Sequence, residues 1–401
     1  MRPPIRVTTA DLRAAHLTLA PLPVPLPQVP VGVDIHTGAA FRYDPFTAYS
    51  RGLVTDASMF VLGSKGSGKS ALVKSLSIRL AGHGRLIRYV DPKGETDELC
   101  KFFGVPPLRP GVVTINPLDA AAGDPERMAS IAADVLGAAL HRDLSEVERL
   151  AIATATRGTA GERGVPTLRR VSEQLRDGED LTRRMPVAVH PADLRDLVAS
   201  VANLAASAQG RMFLDESTVD VDPEAPFLAV DISGHDDATT RVLMVVVASW
   251  LSALWQHGNN QSVIVLDEVW RLLRNLSTAR WLQHSTKMAR KLGASFIPVL
   301  QHLSDLSSAG AADSETRNLA RGLLADSEVR VIYRQPTDQH RDLRELLHLT
   351  PPELAMVSKL APGQAIWRLR DRSAAVQHVL TDTEWPVVQT DDALGGKQDH
   401  R

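Results

Sequence analysis

Cysteine is nearly absent. Cys100 stands alone in 401 residues, so no disulfide framework can brace this chain. That suits a reducing cytoplasm, and Cys100 reads as a small buried hydrophobe without a chemical role. Long hydrophobic runs are also lacking. The longest, Val242 to Trp255, is too short to span a bilayer and reads as a buried helix. The N-terminus has no apolar stretch of the kind that opens a secretory leader, so none is expected. Neither charge dominates: 45 basic against 47 acidic residues leave −2. This argues against a basic coat for nucleic acid over the whole protein, while a basic ring or pore stays open. No internal repeat is visible. His141, Glu148 and His190 show no metal-ligand spacing and are read as surface residues. What is present is ordinary: 44% hydrophobic residues, enough for a normal core built as one large α/β domain with a helical insertion, or as two lobes. Arginine outnumbers lysine and alanine is abundant, a composition that points to a GC-rich bacterial genome.

Against this plain background one stretch stands out. Gly63-Ser64-Lys65-Gly66-Ser67-Gly68-Lys69-Ser70 fits the phosphate-loop pattern G-x-x-x-x-G-K-[ST]. The apolar run Met59 to Leu62 before it reads as a buried strand, and Ala71 to Leu76 after it as the first turns of a helix. Glycines let the backbone curl so that its N–H groups face a phosphate, and the helix N-terminus adds partial positive charge. In this arrangement Lys69 reaches the β- and γ-phosphates of ATP and Ser70 ligates Mg2+. The alternative is a Gly/Ser turn that matches by chance, and the strand–loop–helix context disfavours it.

The second element is Ser262 to Leu266 followed by Asp267-Glu268: a buried parallel strand with acids at its tip. Asp267 is placed to hold Mg2+ through its water shell and Glu268 to polarise the attacking water, the two tasks phosphoryl transfer demands. Other strand ends carry weaker candidates. Asp91 and Glu95, in Asp91-Pro92-Lys93-Gly94-Glu95 after the strand Leu86–Val90, either face the nucleotide or simply build a strand-to-helix turn. Asp231, after Phe227–Val230, either lies near the magnesium or caps its turn. Gln301, after the strand Ser295–Leu300, either reads the γ-phosphate or caps a strand. Arg290, with Lys291, either enters a neighbouring subunit's site or favours a helix C-terminus.

The rest of the chain arranges around these motifs. Residues 1–30 form an arm with a proline-rich linker at Pro21–Pro27, a connector rather than a recognition motif. Residues 31–119 hold a β-hairpin (Val31–Ile35 and Ala40–Tyr43), the phosphate loop, and short strands at Leu86–Val90 and Val112–Ile115. Residues 120–222 read as an inserted helical subdomain, with helices near 125–141, 144–157, 167–176 and 191–208. Residues 223–384 complete the ATPase core, and 385–401 form a disordered polar tail. The fold class is α/β: a P-loop NTPase of RecA-like type, its sheet mostly parallel and flanked by helices.

Gly63–Ser70, Asp91–Glu95, Ile264–Glu268, and Ala289-Arg290-Lys291 followed by Leu300-Gln301 together resemble the FtsK–HerA superfamily of ring ATPases. Asp267 through Leu273, and the stretches Leu349–Leu354 and Leu360–Ala365, look most like the cytoplasmic ATPases of type IV secretion and conjugative transfer. The resemblance spans residues 31–380. It implies Walker A roles for Lys69 and Ser70, Walker B roles for Asp267 and Glu268, a sensor role for Gln301, and for Arg290 a role across a hexamer interface. It further implies a homo-oligomer, ATP and Mg2+ as cofactors, inner-membrane channel subunits or DNA as partners, and a cytoplasmic location, peripheral at the membrane's inner face. Those relatives carry a large docking domain or membrane helices at the N-terminus, where only a short proline-rich arm is expected here. The alternatives are a soluble double-stranded DNA translocase of the same superfamily and an ATP-gated assembly scaffold with little turnover.

Overall fold

Most of the apolar runs become strands. The structure is a computed structural model that describes residues 28–121, 123–160, 164–254, 261–274, 276–289, 293–301 and 315–389. Its strands are β1 Pro30–Asp34, β2 Ala40–Arg42, β3 Met59–Leu62, β4 Leu86–Asp91, β5 Phe227–Asp231, β6 Ser262–Leu266, β7 Ala294–Leu300, β8 Val329–Tyr333, β9 Gln364–Leu369 and β10 Arg372–His378. The helices are α1 Pro45–Ser50, α2 Lys69–Gly82, α3 Asp97–Phe103, α4 Pro125–Ala139, α5 Glu146–Ala160, α6 Leu168–Arg176, α7 Gly178–Arg184, α8 Arg195–Ala206, α9 Asp237–Leu254, α10 Leu276–Ala289, α11 Glu315–Asp326, α12 His340–Leu347, α13 Pro351–Val357 and α14 Trp385–Val388. These residues divide into two units: 28–83 with 295–301 and 323–389, and 84–294 with 315–322.

In the first unit the strand order is β2-β1-β10-β9-β8-β3-β7. β3 runs parallel to β7 and β8, and the other pairings are antiparallel. Burial follows this division. Met59-Phe60-Val61-Leu62 of β3 is buried throughout, as a parallel strand covered on both faces must be. β1 and β2 mix exposed and buried positions as an edge hairpin does. The Asp34 carboxylate closes their turn by accepting from the amides of His36 and Thr37 at 2.9 and 2.8 Å. The rings of Phe41 and Tyr43 lie 5.1 and 5.2 Å from that of buried Trp367 on β9, which ties the hairpin to the core. Asp44-Pro45 starts α1. The Asp44 side chain accepts from the Thr47 amide, and Pro45 occupies the first turn. The stretch read as a tail from residue 385 begins with α14, which packs on α2.

In the second unit β6, β4 and β5 are adjacent and parallel. β5 and β6 are buried at every position. α4 packs on α5, α9 and α10, α5 packs on α6, and α6 on α8. Residues 242–247 of α9 are all buried, as a central helix requires. Among the described residues, 120–222 hold one more α-helix than the sequence suggested. Asp177 ends α6 and at once caps α7, its carboxylate accepting from the Asp180 amide, so the two helices run together in the sequence pattern. The strand expected at Val112–Ile115 does not form. Gly111 (φ +98) closes a turn there and Val112 is 83% exposed. Leu108 takes the edge of β5 instead, donating to the Ala229 carbonyl and accepting from the Asp231 amide. Glu148 is not a surface residue. With Ser145 it forms the capping box of α5, and it is buried against the Arg142 guanidinium. His141 and His190 are exposed, as expected.

Candidate active site

The phosphate loop leaves the carboxyl end of β3 and enters α2 at Lys69. Gly68 precedes the helix with φ +105, a left-handed conformation that side chains resist. A Cβ on it would lie 3.0 Å from the Gly363 amide nitrogen. Gly63 is confined differently: a Cβ there would sit 2.5 Å from Cβ of Tyr333. Only glycine therefore lets the loop pass this close to β8. Ser64 is anchored by its amide and hydroxyl, both donating to the Arg334 carbonyl. The Ser67 carbonyl accepts from Gly363. Lys65 and Gly66 are exposed at the crest, with Gly66 at φ +73. Lys69 is buried, and its ammonium folds back over the loop to donate to the Ser64 carbonyl at 2.9 Å. The Ser67 hydroxyl is buried with no hydrogen-bond partner among the described residues. Ser70 is half-buried in the first turn of α2, where backbone N–H groups have no intrahelical acceptor. Curled backbone, helix N-terminus and folded-back ammonium form an anion cradle, which fits a nucleotide phosphate.

Gln301 belongs beside this loop. Leu62 of β3 pairs with Leu300 of β7, and the Gly63 amide donates to the Leu300 carbonyl at 3.2 Å. Gln301 thus follows the tip of the strand that borders the loop, half-buried.

In the second unit, three acids stand at neighbouring strand ends. Asp91 pairs with Asp231 in the register of β4 and β5, and Leu266, one residue before Asp267, pairs with Val90. Their partners separate them. Asp91 accepts from the amides of Lys93, Gly94 and Thr96 and from the Thr96 hydroxyl, at 2.8 to 3.0 Å. That is the turn-building reading. Asp231 accepts from the Ser233 amide at 2.9 Å and from Nε of Arg109 at 2.7 Å, so it caps its own turn. Asp267 and Glu268 are both buried, and their shared partner is an ammonium. Nζ of Lys93 lies 2.5 Å from Oε1 of Glu268 and 3.3 Å from Oδ2 of Asp267.

Electrostatics follow from this contact. Burial pushes the Asp267 carboxyl above its ordinary range, Lys93 pulls it back, and the adjacent Glu268 charge pushes it up again. Burial works against the Lys93 ammonium, but the charges of Asp267 and Glu268 and the hydrogen bond to Glu268 more than offset this and raise it. Glu95 is half-buried, and its charge also acts on Lys93 and Asp267. Glu268 has φ +52, uncommon for a residue with a side chain and a mark of functional sites. Its amide donates to the Asp267 carboxylate, and its Oε2 accepts from the Trp270 indole. The Arg271 guanidinium lies over the Trp270 ring at 5.0 Å. Sequence reasoning gave Lys93 and Trp270 no part. The signal for Lys93 was a cation in the turn after a strand that neighbours β6. Arg290 lies outside the described residues.

Magnesium takes oxygen ligands and keeps several waters. The Ser70 hydroxyl and the Asp267 carboxylate are donors of that kind, and the Lys93 ammonium already shows that Asp267 accepts a cation.

No protein-family model matches this chain, and no curated protein matches it in sequence. Solved structures do match it. VirB4 of Thermoanaerobacter pseudethanolicus is 19% identical at a TM-score of 0.71, over 89% of this chain and 98% of that one. The plasmid coupling protein TrwB in complex with ADP and Mg2+ is 16% identical at 0.61, over 94% and 93%. TrwB with the ATP analogue ADPNP matches equally well. The resemblance read from the motifs thus holds at the level of architecture: this chain has an α/β P-loop NTPase fold, shared with VirB4 and TrwB.

Proposed function

We infer that this chain is a magnesium-dependent ATPase, a ring motor that energises a type IV secretion or conjugation-like transfer system moving DNA or protein. The observation that carries this reading is the phosphate loop: a glycine-shaped turn at the tip of β3, with Lys69 folded over it and Gln301 at the neighbouring strand end. The fold shared with VirB4, and with a coupling protein solved with ADP and Mg2+, supports it.

In this reading the loop Gly63–Ser70 binds the ATP phosphates and Lys69 neutralises their charge. Ser70 and Asp267 would hold Mg2+, which when bound offsets phosphate charge during transfer. Glu268 polarises the attacking water and Gln301 senses the γ-phosphate. Arg290 of one subunit completes the next subunit's site in a six-membered ring. The ring works in the cytoplasm, at the inner face of the membrane and against channel subunits. No helix among the described residues is long and apolar enough to cross a bilayer.

The test is ATP turnover by the purified protein with Mg2+, beside Lys69→Ala and Glu268→Gln. Lys69→Ala is expected to lose nucleotide binding. Glu268→Gln is expected to keep binding and lose about 10²–10⁴-fold in turnover. Native protein that binds ATP without turning it over, whatever ring it forms, would make the chain a scaffold rather than a motor. Turnover that rises with duplex DNA, with steeply salt-dependent binding, would make DNA the moved substrate.

A further inference from the structure

The function just proposed leaves Lys93 unused, yet its ammonium lies 2.5 Å from the proposed water-polarising carboxylate. Three features of the second unit turn that contact into a device. The first is a rigid base. Lys93 follows β4 in a turn whose amides, at Lys93, Gly94 and Thr96, all donate to Asp91. Gly94 has φ +75, and a Cβ there would stand 2.8 Å from the Ser233 hydroxyl, so the turn is fixed on both sides. The second is a two-point hold on Glu268. Lys93 donates to Oε1 and the Trp270 indole to Oε2, which sets the carboxylate plane. The third is a need for such a hold. Glu268 has a left-handed backbone and sits next in sequence to a second buried carboxylate. Two adjacent buried anions repel, and the backbone strain adds a reason to move.

We propose that Lys93 is the positioning residue for Glu268: it reaches across from the turn after β4, bridges Asp267 and Glu268, and holds the Glu268 carboxylate in its working orientation. This rests on the reading of Glu268 as the water-polarising group. Lys93 acts through that group and touches no reacting atom. Outer partners of this kind cost about 10–100-fold when removed.

The test compares Lys93→Met, Lys93→Gln and Lys93→Arg with native protein, scored per folded molecule. Lys93→Met is expected to lower kcat for ATP about 10–100-fold with KM changed less than about twofold, because the phosphate loop is untouched. Lys93→Arg, which keeps the charge and the donors, is expected to recover most of that loss, and Lys93→Gln little of it. An unchanged or raised kcat in folded Lys93→Met would overturn the proposal, as would recovery by Gln equal to that by Arg. A second readout needs no turnover. In unfolding of the nucleotide-free protein, Lys93→Met should destabilise native protein more than it destabilises Glu268→Gln, and additive effects would refute the pairing. That readout also serves if Lys93→Met is too unstable for kinetics, because Lys93→Gln can replace it in the cycle. If native protein hydrolyses no ATP but the coupling is present, the motor reading fails while the Lys93–Glu268 pairing stands. If ATP is hydrolysed and neither kcat nor stability responds, the Lys93 proposal fails alone.

Discussion

Replacing Arg79 by methionine takes away the guanidinium that ties the phosphate-loop helix to β1 and to the segment between β10 and α14. Nε and Nη2 donate to the two Glu384 oxygens, each at 2.6 Å. Nη1 donates to the carbonyls of Pro30 at 2.7 Å and Val31 at 3.2 Å, and Nη2 to that of Val379 at 2.6 Å. The Arg79 and Glu384 side chains are 11% and 5% exposed, so this is not a surface pair of about 0–1 kcal/mol. Methionine replaces the aliphatic stem and strands a buried carboxylate. Removing one partner of a buried pair costs about 3–5 kcal/mol. Glu384 also accepts from the Thr381 amide at 2.9 Å, which softens the loss and places the expectation near the lower end, about 3 kcal/mol. Adding Glu384→Gln removes the stranded charge and should return about 1–2 kcal/mol. The assay is urea unfolding of nucleotide-free protein near neutral pH, followed by circular dichroism. A loss under about 1 kcal/mol, or a double variant no more stable than Arg79→Met, would refute the argument.

Three further outcomes are expected. Gly68→Ala forces a side chain onto φ +105 and against Gly363, about 1–3 kcal/mol of strain, so a fluorescent ATP analogue should bind roughly tenfold or more weakly, and an unchanged Kd would contradict the loop geometry. His378 is half-buried with Nε2 2.9 Å from the Ser75 hydroxyl, and burial, then the Arg79 charge, lowers its imidazole from 6.5 to about 4. The unfolded chain therefore takes a proton that the folded chain refuses. Stability from this group is full above 6.5 and falls by on the order of 3 kcal/mol as pH drops toward 4, a slope that His378→Asn should flatten in pH-dependent unfolding. Arg290→Ala should be inactive alone and regain turnover when mixed with Lys69→Ala, and failure to do so in intact assemblies would argue against a finger acting between subunits.

Residues close in sequence were readable without coordinates. The phosphate loop and the hairpin from Val31 depend on neighbours within a few positions, where glycines and side-chain oxygens leave direct signals. The strand tips were readable as places, but not in their roles. Asp91 and Asp231 each follow a buried apolar run, and nothing within a few residues tells a turn-building carboxylate from one facing a nucleotide or its metal. The packing of β5, β4 and β6 made that choice by bringing Arg109 to Asp231 and Lys93 to Asp267 and Glu268. Glu148 is buried against Arg142 and Ser145, and Val112 lies in solvent, against the expectation for each. Composition and local pattern set which segments become strand, loop and helix. Charge partners separated by 122 and 174 residues are chosen only when parallel strands align, because each ion pair depends on a distance that the chain alone does not specify.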